Sequence, residues 1–431
     1  MIAEFTIENY RSFKEKRTFS LISTKDNDLS ESNVFLCEKN LQLLKSAIIF
    51  GPNASGKTNF FLALNFFLYF SVRSGPNLQV DEPTGTEIFA FSRQSENSPS
   101  FFELIFFLPT EDNQKKIKYR YGLSLTDEKI VEEYLFAVYV AREVNLFNRK
   151  GQEITNTSYF KEGNRSKPFV RNNSSFLSVC AQNNGEISGT IIKYFMNIVI
   201  SSGLFNDIFI TGKKLSEIEN YKTILNFLHN ADIQITGIQS KIMKFKSRKD
   251  EAPPEIQAFL EYMKKNDPDF EEREAFYFGH RMFDGDKEIG EKFISIDNES
   301  DGTQKLFNYS LPILNALKNG TPVFIDEFDT SLHPLILRKI LQMFNSTEYN
   351  INNAQLVISC HAIHIMTKEL LRRDQIWFCK KDIYGASDLY SLANYKGSVR
   401  KDAAYNKNYL LGNYGAIPHI NEILEQEGGE L

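Results

Sequence analysis

Tryptophan is nearly missing from this chain, with one residue in 431 against 37 phenylalanines and 19 tyrosines. In a sequence also rich in lysine and asparagine, that imbalance reads as drift of codon composition, not as a binding device. Cysteine is sparse. Cys37, Cys180, Cys360 and Cys379 form no CxxC pair and no metal-ligand spacing, which excludes a zinc module and a disulfide scaffold and fits reduced thiols in a cytoplasmic protein. No charge of one sign dominates: 50 Lys+Arg against 55 Asp+Glu leave a net −5, so any nucleic-acid contact must be a local patch. Long hydrophobic runs are lacking too. The longest, Phe60–Val72, is interrupted by Asn65 and too short to span a bilayer, so no membrane role is expected. The N-terminus alternates apolar and polar residues and carries charge early, as a strand does and a signal peptide does not. Internal repeats, heptad arrays and low-complexity tails are absent. What is present is ordinary globular composition, 42% hydrophobic and 24% charged. The length suggests about three domains, or one large domain carrying insertions.

Periodicity organises the chain. Ile2–Glu8 and Thr18–Leu21 read as strands, and Lys45–Phe50 is a short β-branched run ending at Gly51-Pro52-Asn53 before a long apolar helix from Lys57. Ser100–Leu108, Lys118–Leu125 and Glu132–Val140, with turn signals between them, predict an antiparallel meander. Arg149–Asn173 is polar and reads as a surface loop. Helical spacing follows at Ser188–Phe205, Glu217–Ala231 and Pro254–Lys265. Strands return at Phe293–Ile296, Pro322–Asp326, Gln355–Ser359, Gln375–Cys379 and Asp388–Leu392, with helices at Thr303–Leu317 and Pro334–Phe344 between them. That alternation implies a parallel or mixed sheet covered by helices. Lys241, Lys244, Lys246, Arg248 and Lys249 form a basic run, read as a solvated face or as a nucleic-acid or partner contact.

The decisive motif is GPNASGKT: Gly51, Pro52, Asn53, Ala54, Ser55, Gly56, Lys57 and Thr58, matching G-x-x-x-x-G-K-[ST]. The glycines let successive backbone N–H groups point inward at phosphate oxygens. Lys57 supplies a compact cation for the β- and γ-phosphates, and the Thr58 hydroxyl reaches Mg²⁺. The helix that starts here adds its positive end. An acidic partner lies in TPVFIDEFD: Asp326 is placed to hold Mg²⁺, Glu327 to act as general base on the attacking water. Two adjacent carboxylates at the end of a buried strand are costly without a cation. The cofactors expected are therefore ATP and Mg²⁺.

Asp326-Glu327 followed by Ser331-Leu332-His333-Pro334 resembles the Walker B and D-loop of ABC-type ATPases, with Ser331 and His333 as D-loop residues. ESDGTQKLF resembles the ABC signature, with Ser300 and Gly302 in the parts that cap the γ-phosphate held by the opposite subunit; Asp301 stands where the family has Gly. QLVISCHAI puts His361 where the family keeps its switch histidine. FTIENYRSF resembles the SMC, RecF and OLD branch, in which the arginine matching Arg11 lies beside the nucleotide. Gln182 is the candidate Q-loop glutamine, sensing Mg²⁺ and water. With the hairpin WFCKKDIYGASDLYSL, turning at Asp382–Gly385, and the tail after it, the chain is similar to stand-alone ATP-binding proteins of the abortive-infection type.

The resemblance implies an α/β fold: an ABC-type P-loop ATPase head, a mixed central sheet flanked by helices plus an antiparallel meander, with a mainly helical insertion. The expected division is 1–175 (first lobe), 176–278 (insertion) and 279–431 (second lobe). It further implies composite ATPase sites in a homodimer or higher even-numbered oligomer. As a function it implies a nucleotide-dependent switch in anti-phage defence that controls a separate effector, a nuclease or toxin. A RecF- or SMC-like repair ATPase and an ATP-locked scaffold are the alternatives. Too few residues follow His361 for an added Toprim-type nuclease, and Asp382, Asp388 and Asp402 read as turn and surface acids.

Overall fold

SAIIF, Ser46–Phe50, is a strand buried at every residue, as a strand covered on both faces of a sheet must be. In this computed structural model, which describes residues 1–110, 115–202, 218–244, 272–395 and 404–418, it lies inside a six-stranded sheet. The order is Val199–Ser202, Val323–Asp326, Leu356–Ser359, Ser46–Phe50, Ile376–Lys381, Ser387–Ser391. All pairings are parallel except the last, a hairpin. The strand ending in Asp326 is thus separated from the phosphate-loop strand by the one ending in Ser359. A second, seven-stranded sheet is wholly antiparallel. It contains the expected meander, Ser100–Pro109, Lys116–Leu125 and Ile130–Val138, with Ile2–Glu8 and Arg17–Ser20 on one side and Glu143–Lys150 and Glu153–Asn156 on the other.

Helix Lys57–Asn77 joins the two sheets through the core. Its Phe60 and Phe67 meet Phe5 at 6.0 and 5.8 Å, and Phe67 meets Tyr121 of the antiparallel sheet at 5.5 Å. Phe19 packs on Trp377, the lone tryptophan, at 4.8 Å. Much of the aromatic excess is therefore core: each buried ring contributes roughly 1.5–3 kcal/mol of transfer free energy.

Two expectations are corrected. Residues 149–173 are not a surface loop: they hold the strand Glu153–Asn156 and the helix Glu162–Ser166, and Arg149 is fully buried. Its guanidinium pairs with buried Glu133 at 3.3 Å and donates to the carbonyls of Gly151, Ser174 and Arg171. Glu133 also accepts from the N–H groups of Phe176 and Leu177 and the Tyr121 hydroxyl, so charge satisfaction draws a polar stretch inside. The helix expected over Ser188–Phe205 is Glu186–Met196 and then the strand Val199–Ser202, because a β-branched run finds a parallel partner in Val323–Asp326. Within the expected insertion, 176–278, the described residues hold the helices Phe176–Gln182, Glu186–Met196 and Ile218–Asn230 and the strands Val199–Ser202 and Gly237–Lys244. Gly237–Lys244 pairs with Glu272–Asp284, and that strand with Lys287–Ser295, in a three-stranded antiparallel sheet. The helix expected at Pro254–Lys265 lies outside the described residues.

The chain divides into two units, one of Met1–Leu204, Ala316–Thr330 and Leu337–Leu431, the other of Phe205–Asn315 and Ser331–Ile336. This differs from the three-part division: the helices Phe176–Gln182 and Glu186–Met196 join the first unit, and residues 279–315 the second. The four cysteines are free and buried. No helix among the described residues is long and apolar enough to cross a membrane.

Candidate nucleotide site

The loop after Ser46–Phe50 is shaped by close approaches that only glycine permits. A Cβ on Gly51 would lie 2.2 Å from the Cys379 carbonyl oxygen. Gly56 has φ +110, and a Cβ there would lie 2.1 Å from Ser387 Oγ. Lys57 folds back over the loop, donating to the carbonyls of Gly51 and Pro52 at 2.9 and 3.1 Å. Burial lowers its pKa, opposed by the nearby acids Asp326 and Glu327. Residues 53–59, with Glu327, His361 and Lys381, line a cavity of about 410 Å³. A larger cavity, about 650 Å³, lies at Val80, Asp127 and Asn173 and holds none of the motif residues.

The two acids diverge at the strand end. Asp326 is 1% exposed; its Oδ1 accepts from the Ser359 hydroxyl, while its Oδ2 is buried with no hydrogen-bond partner. Glu327 takes the left-handed conformation, φ +51, and its N–H donates to Ser359 Oγ at 2.8 Å. Its side chain turns to the cavity that Asn53 and Thr58 line. A carboxylate with one fixed and one orphaned buried oxygen suits a hard cation, so these residues fit Mg²⁺. Among the described residues no group of three or more His, Cys, Asp and Glu is placed to hold a metal ion by itself.

His361 reaches the same cavity, and its backbone N–H donates to Asp329 Oδ2 at 2.9 Å. Burial first, and Lys57 next, lower its pKa below the ordinary 6.5. Arg11 has φ +48 and pairs with Glu87 at 2.5 Å, while the next residue, Ser12, touches the loop. Asp382 caps the hairpin turn, accepting from Tyr384 and Ala386 N–H, and Asp388 pairs with Arg17 at 2.7 Å.

Gln182 is not at this site. Its Oε1 lies 3.1 Å from where a Cβ on Gly75 would be, at the C-terminal end of the helix whose first residue is Lys57. Eighteen residues of helix separate Gly75 from Lys57, roughly 27 Å at 1.5 Å per residue. The Q-loop assignment is corrected on that ground: Gln182 ends a helix, Phe176–Gln182, packed against the far end of that long helix.

Ser300, Gly302, Ser331 and His333 fall in the second unit. The Ser300 hydroxyl accepts from Thr303 N–H at 3.2 Å, opening the helix Asp301–Asn319. A Cβ on Gly302 would lie 2.7 Å from the Ser331 carbonyl oxygen, so the residues expected as signature and D-loop approach each other closely through their backbones. Glu299, just before the signature, pairs with His280 at 2.7 Å. His333 Nδ1 accepts from Leu335 N–H at 3.3 Å as the next helix begins. Lys241 is exposed with its ammonium 5.0 Å from the Tyr277 ring centre, and Lys244 ends its strand. Lys246, Arg248 and Lys249 lie outside the described residues.

Sequence reasoning missed Ser359, Ser12, Asn59 and Ser387. Ser359 carried one usable signal, its place at the carboxyl end of a parallel strand, where open α/β sheets collect ligands.

The family model described as "AAA domain, putative AbiEii toxin, Type IV TA system" matches residues 46–367. No curated protein sequence matches the chain. One solved structure, "Crystal structure of the SmcHead bound to the C-winged helix domain of ScpA", is 12% identical with a TM-score of 0.38, covering 90% of this chain and 97% of that one.

Proposed function

Because the chain belongs to this AbiEii-type AAA family, a family of P-loop ATPases related to abortive-infection proteins, we propose that it binds and hydrolyses ATP as a switch in anti-phage defence. The observation that carries the chemistry is the buried, partnerless Oδ2 of Asp326, next in the chain to Glu327, which with the phosphate loop lines the cavity. Loop N–H groups cradle the phosphates and Lys57 leaves its loop carbonyls for the β- and γ-phosphate oxygens. Thr58 and Asp326 would hold Mg²⁺, which offsets charge on those oxygens. Glu327 accepts a proton from the attacking water, and His361, neutral near pH 7, donates or accepts a hydrogen bond at the γ-phosphate.

In this reading Ser300 and Gly302 complete the site of a second copy, with Ser331 and His333 beside them. Asp301, in the first helical turn of that signature, favours slow turnover, since its carboxylate repels a γ-phosphate approaching the same helix start. The long-lived ATP state would then be the signal that a separate nuclease or toxin reads. A mixing experiment tests this. Lys57→Ala and Ser300→Arg proteins are each inactive, and their mixture regains part of the wild-type ATPase rate through one intact composite site. A mixture as inactive as its components rules out completion in trans. In cells, loss of phage protection in Glu327→Gln links the switch to defence; unchanged protection removes the defence reading while leaving the ATPase in place.

A further inference from the structure

The C-terminal hairpin, Ile376–Lys381 with Ser387–Ser391, meets the phosphate loop through Ser387. That residue is 2% exposed, with its Oγ 2.6 Å from the Ser55 carbonyl oxygen and 2.8 Å from Ser12 Oγ. Ser12 Oγ in turn lies 2.7 Å from Asn59 Nδ2. The Ser387 hydroxyl carries one proton and faces two acceptors, the Ser55 carbonyl at the shorter distance and Ser12 Oγ, which also accepts from Asn59. The Cys379 thiol, at 3.2 Å, is a second and weaker donor to the same carbonyl. Ser387 N–H also donates to the Ser12 carbonyl at 2.7 Å, which keeps the two serines in register.

In a planar trans peptide the C=O and N–H point in opposite directions. Ser387 and Cys379 grip the Ser55 carbonyl from the hairpin side. The N–H of that same peptide, belonging to Gly56, therefore faces away from the hairpin. Gly56 lines the nucleotide cavity, and Ser387 does not. We propose that Ser387 is a positioning residue for phosphate binding: by fixing the Ser55–Gly56 peptide plane it aims the Gly56 N–H at the nucleotide. Glycine at φ +110 leaves that plane free to turn, so an external grip is what gives it one orientation. The proposal rests on the ATP-binding reading above.

Because Ser387 donates to Ser55 whether or not Ser12 is there, an order of effects follows. Ser387→Ala leaves Ser55 with the thiol alone, whereas Ser12→Ala leaves Ser387 still donating to Ser55. Titration with a fluorescent ATP analogue should give an affinity about tenfold weaker for Ser387→Ala and about two- to threefold weaker for Ser12→Ala. Ser387→Thr, which keeps the hydroxyl, should restore binding. At saturating ATP the kcat of Ser387→Ala stays within about twofold of wild type, because the grip acts on binding and not on the water. Wild-type affinity in Ser387→Ala overturns the proposal, as does a Ser12→Ala loss equal to or larger than that of Ser387→Ala. If Lys57→Ala binds the analogue as tightly as wild type, the nucleotide reading itself fails, and the proposal with it.

Discussion

The buried hydroxyl of Ser359 donates to Asp326, one of the two adjacent acids at the strand end. The same oxygen accepts the N–H of Glu327 at 2.8 Å. One side chain therefore fixes both the Asp326 carboxylate and the left-handed backbone of Glu327, a residue that lines the cavity.

Ser359→Ala leaves a buried carboxylate oxygen and a backbone N–H unpaired, at about 1–3 kcal/mol. The expected outcome is kcat reduced about tenfold or more, with the affinity for ATP changed little. Ser359→Thr should retain most of the rate. A steady-state ATPase assay checks both, and an undiminished kcat in the alanine variant removes Ser359 from the machinery.

Gly302→Ala places a methyl 2.7 Å from the Ser331 carbonyl, so the two backbones must part. Binding of a fluorescent ATP analogue should match wild type, because Gly302 is not among the residues that line the phosphate-loop cavity. Turnover should fall at least about tenfold if that pair completes a second copy's site.

The pH dependence has a defined sign. His361 has its folded pKa below 6.5 through burial and Lys57. As pH falls through 6.5 the unfolded chain takes up a proton that the folded chain refuses, so stability is lost on the acid side. His361→Gln should flatten that loss in urea unfolding between about pH 7 and about pH 5.5. A bound phosphate favours the charged form of His361, so nucleotide binding near pH 6.5 should take up protons. Calorimetry in two buffers of different ionisation enthalpy measures this, and net proton release would contradict it.

Arg149→Met removes one member of a buried ion pair and strands Glu133 without its cation. The expected destabilisation is about 3–5 kcal/mol, read from chemical denaturation. A change under about 1 kcal/mol would mean that Glu133 is held by its other donors alone.

The meander, the parallel strands and the helix after Lys57 were legible because each follows from hydrophobic period and turn residues within a short window. The polar stretch from Arg149 misled, since nothing local reveals that Glu133 neutralises its first residue inside the core. The strand Glu272–Asp284 was missed for a related reason: it is defined by its pairing with Gly237–Lys244 and Lys287–Ser295, and of that sheet only Phe293–Ile296 was legible.

By itself the sequence determined the phosphate-loop motif and its acidic partner. In the proposed reading Gly51, Gly56, Lys57, Thr58, Asp326 and Glu327 would act through local backbone geometry and adjacent charge, which spacing alone encodes. Tertiary structure decided what surrounds that chemistry. It took Gln182 to the far end of the long helix and brought Ser387 to Ser12, a contact across 375 positions. Such contacts depend on which strands pair in which order, and a hydrogen bond between distant side chains leaves no period in the chain that makes it.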